Sequence, residues 1–237
     1  MSGHSHWAGI KRKKAIQDAK RAQIFTKLGR AITVSARTGG GNPDFNANLR
    51  LAIEKAKEFN MPKDKIENSI RKGIGGEADN QLEEVQYEAL GPFATMFIIS
   101  VITDNKNRTV SELRRIFEKH GGKMANGGVS WNFKRAGLIN IKPDNSQKEE
   151  IENTAIENGA EDLVEKENGL ILVVSSLENF NDLKNKLSRF NLQESGIGYL
   201  PLNPVKISKE QEEKYEKLVF DLTDHPDVQE VFDNTHI

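Results

Sequence analysis

The chain has 237 residues, with 34 Lys and Arg against 35 Asp and Glu, a formal net charge of −1, and no cysteine. Disulfides, thiolate nucleophiles, zinc–cysteine sites and iron–sulfur clusters are excluded. The longest apolar stretch, Phe93 to Ile102, falls far short of the ~20 residues a membrane helix needs.

The near-zero total hides a split. Residues 1–75 hold 16 Lys and Arg against 6 Asp and Glu, and residues 76–237 hold 18 against 29, giving +10 and −11. A basic module joined to an acidic one is the direct reading. The first residues, MSGHSHWAGIKRKK, lack the apolar core of an export signal, so the expected location is the cytoplasm. Apolar content, with glycine added, is near that of globular proteins, so folded domains are expected.

The first third reads as helices. Ile24, Leu28, Ala31, Ile32 and Ser35 recur at helical spacing between Lys13 and Thr38, and Lys20, Lys27, Arg30 and Arg37 gather off the edge of that stripe. Gly39-Gly40-Gly41-Asn42-Pro43 ends the helix and reads as a hinge. Leu49, Ala52, Ile53, Ala56 and Phe59 mark a second helix. Asn60-Met61-Pro62 turns into a third, which buries Ile66 and Ile70 and stops at Gly73.

The period then changes to that of strands. Leu82–Leu90 and Phe93–Thr103 read as strands, the second apolar on both faces as a central strand is. A helix around Val110, Leu113, Ile116 and Phe117 follows, then an alternating segment Val129–Phe133. Strand 137–141, helix 146–158, strands 162–165 and 169–174, helix 177–190 and strand 192–199 make βαββαβ, the ferredoxin-like order. Val205–Ile207, a helix from Ser208 to Leu222 and a strand around Val228–Phe232 complete the earlier unit. The expected fold is α+β and multidomain. A three-helix module (1–76) precedes two ferredoxin-like α/β domains, the second (135–199) inserted into the first (77–134 and 200–237).

The chemical signal lies in the basic segment. Lys11, Arg12, Lys13, Lys14, Lys20, Arg21, Lys27, Arg30 and Arg37 face Asp18 alone among residues 1–38. Such a stripe either forms a solvated helix face or replaces the counterions of a polyphosphate backbone, and its density and single sign favour nucleic acid. Trp7 either stacks on a base or pins the tail to the helical module. The five histidines are too scattered for a metal site, the glycine clusters lack the context of a dinucleotide or phosphate loop, and no catalytic triad or carboxylate pair stands out. No catalytic residue, metal or cofactor is therefore assigned, and a non-enzymatic monomer is expected. Arg108, Arg115 and Lys119 form a solvated face or extend a phosphate-tracking surface.

The opening stretch from GHSHWAGIKRKK through NMPKDKIENSIRKG, the segment GGVSWNF at 127–133 and the ending DVQEVFDNTHI resemble the YebC family along the whole chain. The resemblance implies a helical N-terminal domain with two α/β domains. It also implies a role as a transcriptional regulator binding DNA, or as a ribosome-associated translation factor relieving stalling at stretches such as consecutive prolines. It carries the basic segment and the turn Met61, Pro62, Lys63 as contact surface. The partner expected is DNA or ribosomal RNA, and not a membrane. The rival reading is a protein-interaction scaffold whose basic helix neutralises the acidic body intramolecularly.

Overall fold

The computed structural model describes residues 18–75, 82–144, 146–166 and 169–235, with side chains described from residue 21 onward. Three helices come first: α1 (Asp18–Gly39), α2 (Ala47–Glu58) and α3 (Lys63–Ile74). Their common core takes Ile24, Leu28, Ile32 and Ala36 from α1, Leu49, Ile53 and Ala56 from α2, and Ile66 from α3. Each set repeats every three or four residues, so each helix turns one stripe inward. Gly73 allows α3 to lie close against α1, because a Cβ there would stand 2.5 Å from the Thr33 carbonyl oxygen.

The glycine run 39–41 is a built turn rather than the expected hinge. The Asn46 side chain caps α2 by accepting from the Leu49 N–H at 3.1 Å, and its amide donates to Ser35 O and Gly40 O at 2.8 Å each. Gly40 sits at φ 86°, and a Cβ on Gly39 would meet the Asn46 amide at 2.7 Å.

The first sheet contains β1 (Glu83–Leu90), β2 (Met96–Thr103), β3 (Lys123–Ala125) and β8 (Val228–Asp233), in the order β3-β1-β2-β8. Helices α4 (Lys106–Lys119) and α7 (Lys209–Asp224) cover one face. Phe97, Ile99 and Val101 pack there against Leu113, Phe117, Leu218 and Leu222. The alternate residues of β2 face the other way: Ile98 meets Phe133, Phe232 and Tyr199, while Ile102 meets Leu82 and Val34 of α1. This explains why β2 reads apolar on both faces, since the second face is shared between the other two domains.

The second sheet contains β4 (Phe133–Ile141), β5 (Asp162–Glu165), β6 (Ile171–Ser175) and β7 (Leu192–Pro201), in the order β5-β6-β4-β7. Helices α5 (Lys148–Glu157) and α6 (Phe180–Leu187) lie on one side. This is the ferredoxin-like order. The first sheet has the same spatial pattern, but its last helix and strand arrive only after the second domain, which is inserted between β3 and α7. The two crossings are tied together: the Asn132 side-chain oxygen accepts from the backbone and side-chain N–H groups of Asn203 at 2.9 Å each, and Leu202 N–H donates to Asn132 O at 2.8 Å.

Two expected strands are not formed as read. Gly127 and Gly128, both at φ 89°, lead the chain out of the sheet, and the carboxylate of Glu88 accepts from Val129 N at 2.6 Å. Residues 130–132 then form a short 3₁₀ turn, β4 starts only at Phe133, and the edge strand is Lys123–Ala125. Val205–Ile207 contributes a single parallel bridge, Val205 to Thr235. Pro204 just before it supplies no N–H for a ladder. Among the described residues, no helix is long and apolar enough to cross a membrane.

Candidate nucleic-acid interface

Helix α1 carries two different cationic surfaces. Gln23, Lys27, Arg30, Val34 and Arg37 fall on one stripe and face the first sheet domain. Lys27 is buried and donates to Thr223 O at 2.6 Å. Burial pushes its ammonium down to about 8, although Asp224 and Asp227 pull the other way. Arg30 donates to Asp227 Oδ1 at 2.6 Å and to the Ile102 and Pro226 carbonyls, Arg37 donates to Leu82 O, and Gln23 donates to Asp224 O.

Asp227 is the centre of this junction. Its residue is 1% exposed, and its second oxygen accepts from Arg108 at 2.8 Å and from the Thr109 hydroxyl at 2.7 Å. Burial alone would raise its carboxyl. The hydrogen bonds from Arg108, Thr109 and Arg30 outweigh burial and hold it well below the usual carboxylate range. Further out, Lys55 of α2 reaches Glu230 of β8 at 2.6 Å, and Lys184 of α6 reaches Glu54 at 2.9 Å. Part of the opposition between the basic and acidic halves is thus resolved within the molecule.

The cations on the opposite side are exposed. The Arg21 guanidinium carbon lies 5.6 Å from the centre of the Phe25 ring, and Lys65 Nζ lies 5.2 Å from it. Lys63 is exposed, with Glu67 at 3.5 Å, and Arg71 donates to Asn68 Oδ1 on the outer surface of α3. Helices α1 and α3 run in the same direction, since Phe25 neighbours Lys65, Gly29 neighbours Ser69 and Thr33 neighbours Gly73. Between them runs a groove of about 640 Å³, lined by Phe25, Gly29, Arg30, Lys65, Ser69 and Lys72 among others and ending at Leu82 and Asp104.

The expected contact residues divide accordingly. Trp7, Lys11, Arg12, Lys13 and Lys14 lie outside the described residues, as does the side chain of Lys20. Arg21 is on the exposed side. Lys27, Arg30 and Arg37 are drawn into the junction. In the turn, Met61 is buried in the helical core, while Pro62 and Lys63 are exposed. Arg108 belongs to the Asp227 cluster, and Lys119 pairs with Asp221 at 2.8 Å. Asp227 and Thr223 were not singled out from sequence, because their partners on α1 lie almost two hundred positions away. Among the described residues, Glu112, His225 and Asp227 form a close acidic and imidazole group. His225 Nε2 lies 2.9 Å from Glu112 Oε2, and Nδ1 accepts from Asp227 N–H at 3.2 Å. Both ring nitrogens are therefore engaged by protein atoms, and the group acts as a hydrogen-bonded brace.

This arrangement, a cationic helical unit clipped to two sheet domains, has close counterparts. The family model described as the TACO1/YebC protein N-terminal domain matches residues 5–76, and that of the TACO1/YebC second and third domain matches residues 82–235. The chain belongs to the TACO1/YebC family. A "probable transcriptional regulatory protein" from Petrotoga mobilis is 48% identical over 241 residues, covering 100% of this chain and 95% of the relative. One of the same description from Fervidobacterium nodosum is 48% identical over 240 residues, covering 100% and 94%. The crystal structure of a conserved hypothetical protein from Aquifex aeolicus is similar over 98% of this chain and 97% of that one, with a TM-score of 0.85 and 41% identity. The names of these TACO1/YebC relatives support a regulatory role.

Proposed function

We propose that this TACO1/YebC protein is a non-enzymatic regulator of gene expression that binds nucleic acid through its helical domain. The observation that carries this reading is the sorting of cations on α1 and α3. Those facing the sheet domains are paired with carbonyls and carboxylates, while Arg21, Lys63 and Lys65 are exposed, on the unit to which residues 11–14 lead. A row of exposed Lys and Arg on one unit suits phosphate contacts, which position a protein without reading sequence.

Base-edge reading of duplex DNA needs Arg or Asn side chains projecting from one helix. Arg30, Arg37 and Arg50, three arginines available on α1 and α2, donate to Asp227, Leu82 O and Pro43 O respectively. This favours a partner gripped through its backbone and shape, as structured RNA of the ribosome is, over a sequence-specific operator. The acidic sheet domains then hold the grip in a fixed orientation. Replacing Lys11, Arg12, Lys13 and Lys14 with Glu in the full chain tests the reading. Association with ribosomes or DNA is expected to be lost, and unchanged association would favour the scaffold role instead.

A further inference from the structure

The groove between α1 and α3 has the exposed Lys65 and Lys72 along one wall and meets the first sheet domain at Leu82 and Asp104. Its volume, about 640 Å³, falls within the ~300–1,000 Å³ of small-ligand sites. We infer that it is a single-stranded nucleic-acid subsite, holding a backbone segment on Lys65 and Lys72 with one unpaired base against Phe25. The inference rests on the nucleic-acid reading above and adds the strand type and the place.

Three features of the groove carry it. Lys65 and Lys72 stand seven residues apart on α3, roughly 10 Å along the helix. Both are exposed, so phosphates of one strand can reach each in turn. At the entrance Arg21 and Lys65 lie over the half-buried Phe25 ring, so a base that takes the place of either cation on the ring would gain stacking and bring its phosphate to both. The floor is narrow and polar. Gly29 has no side chain, and the hydroxyls of Thr26 and Ser69 donate to the carbonyls of Ala22 and Lys65. Their oxygens therefore offer lone pairs, which accept from the N–H groups of a base edge and not from a phosphate.

Charge decides among occupants. At its inner end Arg30 is paired with Asp227 at 2.6 Å and Asp104 with Arg108 at 2.8 Å, and the other charged side chains of the lining, Lys65 and Lys72, are both positive. The chain's own segment ahead of α1 carries Lys11–Lys14 and is of the same sign as the groove. A duplex would offer phosphates but no unpaired base for Phe25.

The test uses the full chain with a short fluorescein-labelled oligouridylate, the matching oligodeoxythymidylate and a duplex DNA, across a salt series. The K65E/K72E double variant changes only exposed residues and should lose at least about tenfold in oligouridylate affinity. Its salt dependence should flatten by about 1.4 in log–log slope, two contacts at ~0.7 each. Phe25→Leu keeps an apolar side chain toward the core and should cost about 5–100-fold on single strands, with Phe25→Trp restoring binding. The two single-stranded probes show whether the 2′-hydroxyl contributes.

Unchanged oligouridylate affinity in K65E/K72E, with loss on reversing Lys11–Lys14, would overturn the groove while leaving the nucleic-acid reading intact. Absence of binding to all three probes would overturn both. Tighter binding of duplex, insensitive to Phe25→Leu, would overturn the single-strand assignment.

Discussion

Replacing Asp227 with Asn removes the charge at the centre of the junction while nearly preserving its shape. Asp227 accepts from Arg30 at 2.6 Å, Arg108 at 2.8 Å and Thr109 at 2.7 Å. A hydrogen bond to a charged group contributes about 1.5–3 kcal/mol. Arg108 is 42% exposed, so its share falls towards the ~0–1 kcal/mol of surface pairs, whereas Arg30 at 24% keeps more. The expected loss is about 2–4 kcal/mol, because Asn leaves both guanidiniums facing a neutral amide, one of whose groups is itself a donor.

Three domains need not unfold together, so the suitable readout is hydrogen exchange of the α1 amides between Lys27 and Arg37. Their protection should fall by about 30-fold or more at neutral pH. The pH dependence has a definite sign. A carboxyl lowered in the folded state stabilises fully above the unfolded value of ~3.9 and loses that contribution as pH falls towards its folded value. The gap between wild type and variant should therefore narrow below about pH 4. Protection unchanged within about threefold would refute the central place given to Asp227.

Lys27 should show the same sign in a higher pH window. Its folded value near 8 lies below that of an unfolded lysine, so the unfolded chain holds more protons and junction stability should rise from about pH 8 to 10. Lys27→Met should abolish that rise in the α1 amides, and an identical profile in both proteins would contradict the burial. Gly73→Val places atoms against the Thr33 carbonyl and should destabilise the helical domain by about 1–3 kcal/mol or more in urea titrations followed by helical circular dichroism. Asn46→Ala removes the α2 cap and two further bonds that shape the glycine turn; a loss of about 1–2 kcal/mol is expected by the same assay.

The architecture was legible because each helix and most strands carry their own period. The stripe Ile24, Leu28, Ile32 and the two-faced β2 both appear in the structure as the sequence pattern requires. The inserted domain was legible from element order. Val129–Phe133 was misread because its alternation comes from Val129 and Phe133 entering one core from a turn, an effect of Gly127 and Gly128 that periodicity does not register. Lys27, Arg30 and Arg37 form one edge of α1, as their spacing requires. That edge meets Thr223, Asp227 and Leu82 instead of an external phosphate, and no local pattern reports a partner so distant along the chain. The groove was invisible for a similar reason: its two walls are helices separated by α2.

Photocrosslinking of the full-length protein to RNA and DNA in cells, with the crosslinked peptides and nucleic acids both identified, bears most directly on the account. The predicted result is adducts on peptides from the helical domain, including those carrying Phe25 and Lys65, joined to RNA and lost when Lys11, Arg12, Lys13 and Lys14 are changed to Glu. Adducts confined to the two sheet domains, or a yield indifferent to that charge reversal, would contradict it.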